Sequence, residues 1–371
     1  MQKHLSFLLF QILLKTVLVC VGMLFSGLPA IASKSPARVF DVEGRVFMRP
    51  NMRSPKREIS VGAPLAPTDL IRPDPRARVL IQCANGRPKP VTVAEWSSVN
   101  TICPGIFIED IRDGSLFVEA GNLQGGSNAQ IPYVIAPRNR FLLSPTPTLS
   151  WNSVDNTDRY IVSLMADQVQ IWQVETAETT IPYPADKPAL NPGVWYTLVV
   201  KTDNDRASID EHVSGLRFRV LFPEEAHAIQ QIAQEIIDSD VSAQSMKIAL
   251  AVLYSNNELI AEAITTLESL VNQGNQQPFV YRILGDLYQR SGLRLLSETR
   301  YQQAICLATN LIHIEQRAAA QLGLGLLHKR IENLAQSSYW FNLAKVSYRE
   351  LGEEKVVDLI DRELGQLQSQ L

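Results

Sequence analysis

The stretch Pro278 to Ala304, PFVYRILGDLYQRSGLRLLSETRYQQA, decides how the C-terminal part of this chain is read. Tyr281, Leu284, Gly285 and Tyr288 fall on one helical stripe, and Ser297, Tyr301 and Ala304 on another, with Ser291-Gly292 breaking the chain between them. Gly285 removes a side chain where two backbones would cross, and the small Ser297 and Ala304 let the second helix lie close to the first. A helix pair of this size cannot bury its apolar face alone, so it predicts similar units stacked beside it.

The order bulky residue, Leu-Gly, Tyr, Ala, Phe, Ala resembles the tetratricopeptide repeat, with Ser297 in the usual Ala place and Tyr301 in the usual Phe place. The same pattern occurs 34 residues earlier at Leu250, Ala251, Tyr254, Ala263, Leu267 and Leu270, with Asn256-Asn257 as the turn. It returns at Leu324-Gly325, His328, Ser337, Phe341 and Ala344, after a six-residue insertion between Ala304 and Ala320. Pro223-Glu224-Glu225 starts the helical part, with Ile229, Ile232, Ala233, Ile236 and Ile237 on one face. An amphipathic closing helix is predicted over 351–371, so residues 223–371 read as an α-solenoid. The resemblance implies a partner-binding groove carrying Arg282, Asp286, Gln289 and Arg290 in the best copy, and Leu322, Leu326, Lys329 and Arg330 in the third. Its cations would share one concave wall suited to an acidic or carboxylate-bearing peptide.

Upstream of Pro223 the hydrophobic period is two. Residues 37–136 read as a β-rich domain with strands over 38–44, 45–48, 59–62, 69–72 and 77–83, bounded by Pro, Gly or Asn. The run from Val42-Glu-Gly-Arg-Val46 through Val61-Gly-Ala-Pro-Leu65 to Asn85-Gly86 resembles a FecR-type periplasmic domain, which implies a role in sensing or signal transmission at the envelope. The Gly-rich and Pro-rich run that follows marks a linker at 137–148. Residues 142–222 read as an antiparallel β-sandwich with strands near 148–151, 159–164, 170–174, 179–183, 195–200 and 216–220. Leu190-Asn-Pro-Gly-Val-Trp-Tyr196 resembles the tyrosine corner of fibronectin type III domains, and Trp151 and Tyr160 resemble that family's core residues. Trp172 and Trp195 are core residues or exposed sugar-stacking rings. The expected fold class is a multidomain α+β chain: β-rich domain, antiparallel sandwich, α-solenoid.

Met1 to Ala32 carries a short polar start, an apolar run, the helix breaker Pro29, and the small residues Ala30 and Ala32 before a cleavage point. This is the pattern of a secretory signal peptide, and it predicts a periplasmic or secreted product. The chain of 371 residues carries a net charge of −3, which becomes −5 without Lys3 and Lys15. That balance argues against a nucleic-acid partner. Export makes a Cys83–Cys103 disulfide the favoured pairing over free thiols or metal ligation, and Cys306 falls at an inward helical position.

No Walker loop, His-Glu-x-x-His pair, nucleophile elbow or Cys-x-x-Cys occurs, and His212, His227, His313 and His328 are scattered. Asp203, Asp205, Asp210 and Glu211 lack the partners of a calcium loop and read as a solvated turn. No cofactor and no metal are expected, and a catalytic role is not. The sequence therefore predicts a non-enzymatic scaffold or adaptor for a protein or peptide partner in the envelope. A cell-wall or polysaccharide-binding protein acting through its β domains, and an envelope signalling regulator, are the competing readings.

Overall fold

The change of period near Pro223 is a change of architecture. A computed structural model describes residues 37–104, 125–138, 140–211, 213 and 216–369. The expected leader, with the expected cleavage residues Ala30 and Ala32, lies outside the described residues.

The first β region contains β1 (Ala37–Glu43), β2 (Val46–Arg49), β3 (Arg57–Glu58), β4 (Pro64–Leu65), β5 (Leu70–Pro73), β6 (Arg78–Gln82), β7 (Pro88–Val91) and β8 (Ser97–Ser98). They form two four-stranded sheets, ordered β4-β1-β6-β7 and β3-β2-β5-β8. Val39, Ile81, Ile71 and Val46 fill the space between them. The predicted strand over 59–62 is a turn instead, because Gly62 takes φ +91°, a left-handed value that a strand cannot hold. Cys83 and Cys103 are joined by a disulfide that ties β6 to a single helical turn, Val99–Ile102.

The second β region contains β9 (Val134–Ala136), β10 (Arg140–Leu142), β11 (Leu149–Trp151), β12 (Tyr160–Ala166), β13 (Val169–Thr176), β14 (Thr180–Ile181), β15 (Tyr196–Thr202) and β16 (Phe218–Val220). A five-stranded sheet, β10-β16-β15-β12-β13, faces a three-stranded sheet, β14-β11-β9. All pairings are antiparallel except β10 with β16. β10 lies inside the stretch read as a linker, and β9 pairs with β11 of the sandwich. Trp151 packs edge-on to Tyr160, whose hydroxyl accepts the Val154 N–H at 3.0 Å. The Tyr196 hydroxyl accepts the Asn191 N–H at 2.9 Å, tying the connecting loop to the sheet.

Eight α-helices follow among the described residues: α1 (Pro223–Ile237), α2 (Ala243–Asn256), α3 (Ile260–Asn272), α4 (Pro278–Arg290), α5 (Arg294–Leu307), α6 (Ile314–Arg330), α7 (Leu334–Glu350) and α8 (Glu354–Gln368). A 3-10 turn, Leu311–His313, occupies the six-residue insertion. α2–α3, α4–α5 and α6–α7 are hairpins, and α8 closes the array. At Gly285 a Cβ would come within 2.5 Å of the Tyr301 ring, and at Gly325 within 2.5 Å of the Phe341 ring. Ser297 Oγ donates to Gly285 O and Ser337 Oγ to Gly325 O, each at 2.9 Å. Cys306 is exposed on α5 instead of inward.

The first β region and the helices share a core. Phe40 of β1 and Leu80 of β6 join Ile248, Val252, Phe279 and Leu284 in one buried cluster. Hydrogen bonds also cross this contact. Ser245 Oγ donates to Asp41 Oδ1 at 2.5 Å, and Gln82 Nε2 to Ala249 O at 3.0 Å.

Candidate functional site

The residues expected to line the groove sit on α4 and α6, and the chain itself covers most of them. Arg282 is 7% exposed: its Nε donates to Gln316 Oε1 at 2.9 Å and its Nη1 to Asp286. Two guanidinium groups lie near the Phe279 ring, Arg282 at 5.2 Å and Arg38 of β1 at 5.6 Å from its centre. Arg38 Nη1 also donates to Gly62 O at 2.7 Å. A Cβ on Gly62 would stand 2.1 Å from the Phe279 ring, so the turn at 60–63 needs glycine to reach α4. Burial, and then the neighbouring Arg282 charge, lowers the Arg38 pKa to about 10, with Asp286 and Glu315 opposing.

Further contacts clasp this turn to α6. Arg57 of β3 pairs with Glu315, and Ser60 Oγ lies 3.3 Å from His313 Nδ1. Burial pushes the Glu315 carboxyl above its usual range, against the pull of Arg57. The inner wall around Arg282 and Asp286 is therefore held by the first β region.

The remaining groove positions are engaged elsewhere. Arg290 Nη2 bonds Glu258 at 2.8 Å, and Glu258 also pairs with Arg140 of β10 at 3.2 Å. Lys329 pairs with Glu363 of α8. Leu322 and Leu326 pack against Val356 and Ile360 of α8. The expected wall of open cations is thus not formed, because each of Arg282, Arg290 and Lys329 faces a carboxylate of its own chain.

Gln289 and Arg330 meet at a pocket. Although they come from separate hairpins, both line a pocket of about 90 Å³ between the α4–α5 turn and the C-terminal end of α6. Arg294, Leu327, Gly125 and Ser127 complete most of its wall, and no lining residue is acidic. Arg294 Nη2 reaches Ser127 O at 3.5 Å, and Gly125 N donates to Gly292 O at 2.9 Å. The Tyr301 hydroxyl lies 2.8 Å from both Gln289 Oε1 and Asp286 Oδ1. Burial first, and the Asp286 charge second, push the Tyr301 hydroxyl pKa well up, so this group stays a neutral donor. Sequence patterning missed Arg294, which follows the turn and belongs to no stripe.

Two buried polar contacts involve residues already weighed in the sequence. Glu211, placed in a solvated turn by its neighbours, instead forms an ion pair with Arg138 at 2.9 Å in which both side chains are buried. Its Oε1 accepts the Gly126 N–H at 2.5 Å. Trp172 is a core residue whose Nε1 donates to the Tyr183 hydroxyl at 2.9 Å, while Trp195 is 38% exposed. Among the described residues no group of three His, Cys, Asp or Glu side chains could hold a metal, and no helix is long and apolar enough to cross a membrane.

No protein-family model matches the chain, and no curated protein matches it. Among solved structures the chain is similar to the fibronectin(III)-like modules of Clostridium thermocellum CbhA. That likeness has 11% identity, a TM-score of 0.17, and coverage of 51% of this chain and 80% of that one.

Proposed function

We propose that the protein is an exported, non-enzymatic adaptor that holds a carboxylate-bearing segment of a protein partner at the Gln289–Arg294–Arg330 pocket. The observation that carries this reading is the meeting of two helical hairpins at one pocket lined by two guanidinium groups, a carboxamide and no acid. A planar guanidinium receives a carboxylate through paired hydrogen bonds, and two of them set its orientation. The pocket's volume suits one carboxylate-bearing side chain or a chain terminus, with the rest of the partner lying across the surface.

On this reading the tetratricopeptide-like hairpins and the FecR-like region act as one body. The β region occupies the inner wall near Arg282, which restricts capture to the open end of the array. An array of immobilised peptides with Asp, Glu or amidated C-termini, probed with the full chain, tests it. Retention should require the acidic ends and fall at least tenfold in the Arg294→Glu, Arg330→Glu double variant, with the melting temperature within a few degrees. Equal retention of amidated and acidic peptides would remove the proposal.

A further inference from the structure

On the five-stranded sheet, far in sequence from the helices, lies a pocket of about 470 Å³ lined by Met165, Asp167, Gln168, Thr197 and Arg217. This size falls within the range of about 300–1,000 Å³ usual for small-molecule sites. Asp167 and Gln168 form the two-residue turn between β12 and β13, where Ala166 pairs with Val169. Their φ values, +45° and +70°, are left-handed. Glycine or asparagine would hold that turn with less strain, so the side chain at 168 is present in spite of the backbone.

Arg217 joins this turn to the aromatic beside it. Its Nη2 bonds Asp167 Oδ1 at 2.9 Å, and its guanidinium carbon stands 5.6 Å from the centre of the exposed Trp195 ring. Thr197 and Met165 sit opposite each other on β15 and β12, on the outer face of the sheet. The pocket therefore offers donors and acceptors from Asp, Gln, Thr and Arg around an apolar patch of Met165, with Trp195 alongside.

From these features we infer that this pocket is a subsite for a neutral saccharide. The one positive and one negative side chain neutralise each other, which gives no preference for a charged ligand. A pyranose ring matches both halves, since its hydroxyls meet the Asp, Gln, Thr and Arg groups while its C–H face lies on the apolar surface at Met165, with Trp195 beyond Arg217 at the rim. The site is independent of the pocket at Gln289 and Arg330, and either can stand without the other.

The test is an array of neutral, uronic and amino-sugar oligosaccharides probed with the full chain. Two variants accompany it. Trp195→Ala removes the ring, and Gln168→Gly removes the amide while relieving the turn, so that the second should fold at least as well as the parent. The expected result is retention on neutral oligosaccharides that drops at least fivefold in each variant, with unchanged or higher melting temperature for Gln168→Gly. Absence of retention on every neutral glycan, retention confined to charged glycans, or binding by both variants equal to the parent's would each overturn the inference.

Discussion

The hairpins α4–α5 and α6–α7 have the same interior and different exteriors. Positions 285, 297, 301 and 304 of the first correspond to 325, 337, 341 and 344 of the second. A glycine receives an aromatic ring in each, and a serine hydroxyl returns to that glycine's carbonyl at the same 2.9 Å. On the inner face, however, Arg282 and Asp286 are replaced by Leu322 and Leu326. Arg282 is buried beside Arg38 of β1 and the Phe279 ring that meets the 60–63 turn, with Asp286 half-exposed next to it, whereas Leu322 and the half-buried Leu326 pack against α8. One packing device is thus used twice, and the residues outside it record what each hairpin is covered by.

The largest test is of the shared interior. Gly285→Val and Gly325→Val would each drive a branched side chain into an aromatic ring, and each should cost about 3 kcal/mol, near the upper end for overpacking. Guanidinium unfolding followed by helical circular dichroism should show two losses of similar size. If one variant is near neutral, the interiors are not equivalent.

Next is the covering itself. Reducing the Cys83–Cys103 bridge, or replacing both with serine, frees a loop spanning 20 positions and should lower the stability of the first β region by about 3 kcal/mol. Because that region covers α4 and holds the start of α6 through Arg57 and Ser60, amide exchange should rise on α4 and at the N-terminal end of α6 and leave α7 little changed. A rise spread evenly over both hairpins would mean that the β region is not what covers the first.

A smaller effect separates the two aromatic rings. Tyr301 is held between Gly285 and Gly323, with its hydroxyl in reach of Asp286 and Gln289, while Phe341 has no such group. Tyr301→Phe should cost about 1 kcal/mol, the usual net value of one buried hydrogen bond. Phe341→Tyr should not recover it, because Leu326 stands where Asp286 would be. A stabilised Phe341→Tyr would show a polar partner at the second hairpin.

Much of this was legible from local pattern. The Leu-Gly, Tyr, Ser, Tyr, Ala order marked the hairpin interior because every contact there lies within about twenty residues. The six-residue insertion was legible too, as the break in an otherwise regular spacing. The coverings were not. Arg57 meets Glu315, Gly62 meets Phe279, and Asp41 meets Ser245 across more than two hundred residues, and no periodicity encodes such pairs. Glu211 was misread for the same reason: among Asp203, Asp205 and Asp210 it looks like one more solvated acid, and its partner Arg138 is remote in sequence. At the candidate sites, Gln289 and Arg330 followed from the repeat pattern, whereas Arg294 and the Asp167–Arg217 pair depend on how turns and strands meet.

The smallest predicted effect concerns Glu315, whose counterpart in the preceding hairpin is the uncharged Asn275. Burial raises the Glu315 carboxyl above its usual range more than Arg57 and Arg38 lower it. The folded chain therefore holds this proton more tightly than the unfolded chain does, and the group's contribution to stability is lost as pH rises through its folded pKa. Glu315→Gln does not titrate, and all other carboxyls are common to both proteins. The melting temperature of the parent, minus that of Glu315→Gln, should therefore increase as pH falls from 7 toward the unfolded carboxyl value of about 4.3. If the difference shrinks over that interval, the ionised form is the one the fold favours. The Arg57 pair would then outweigh burial, and the clasp between β3 and α6 would be held chiefly by charge.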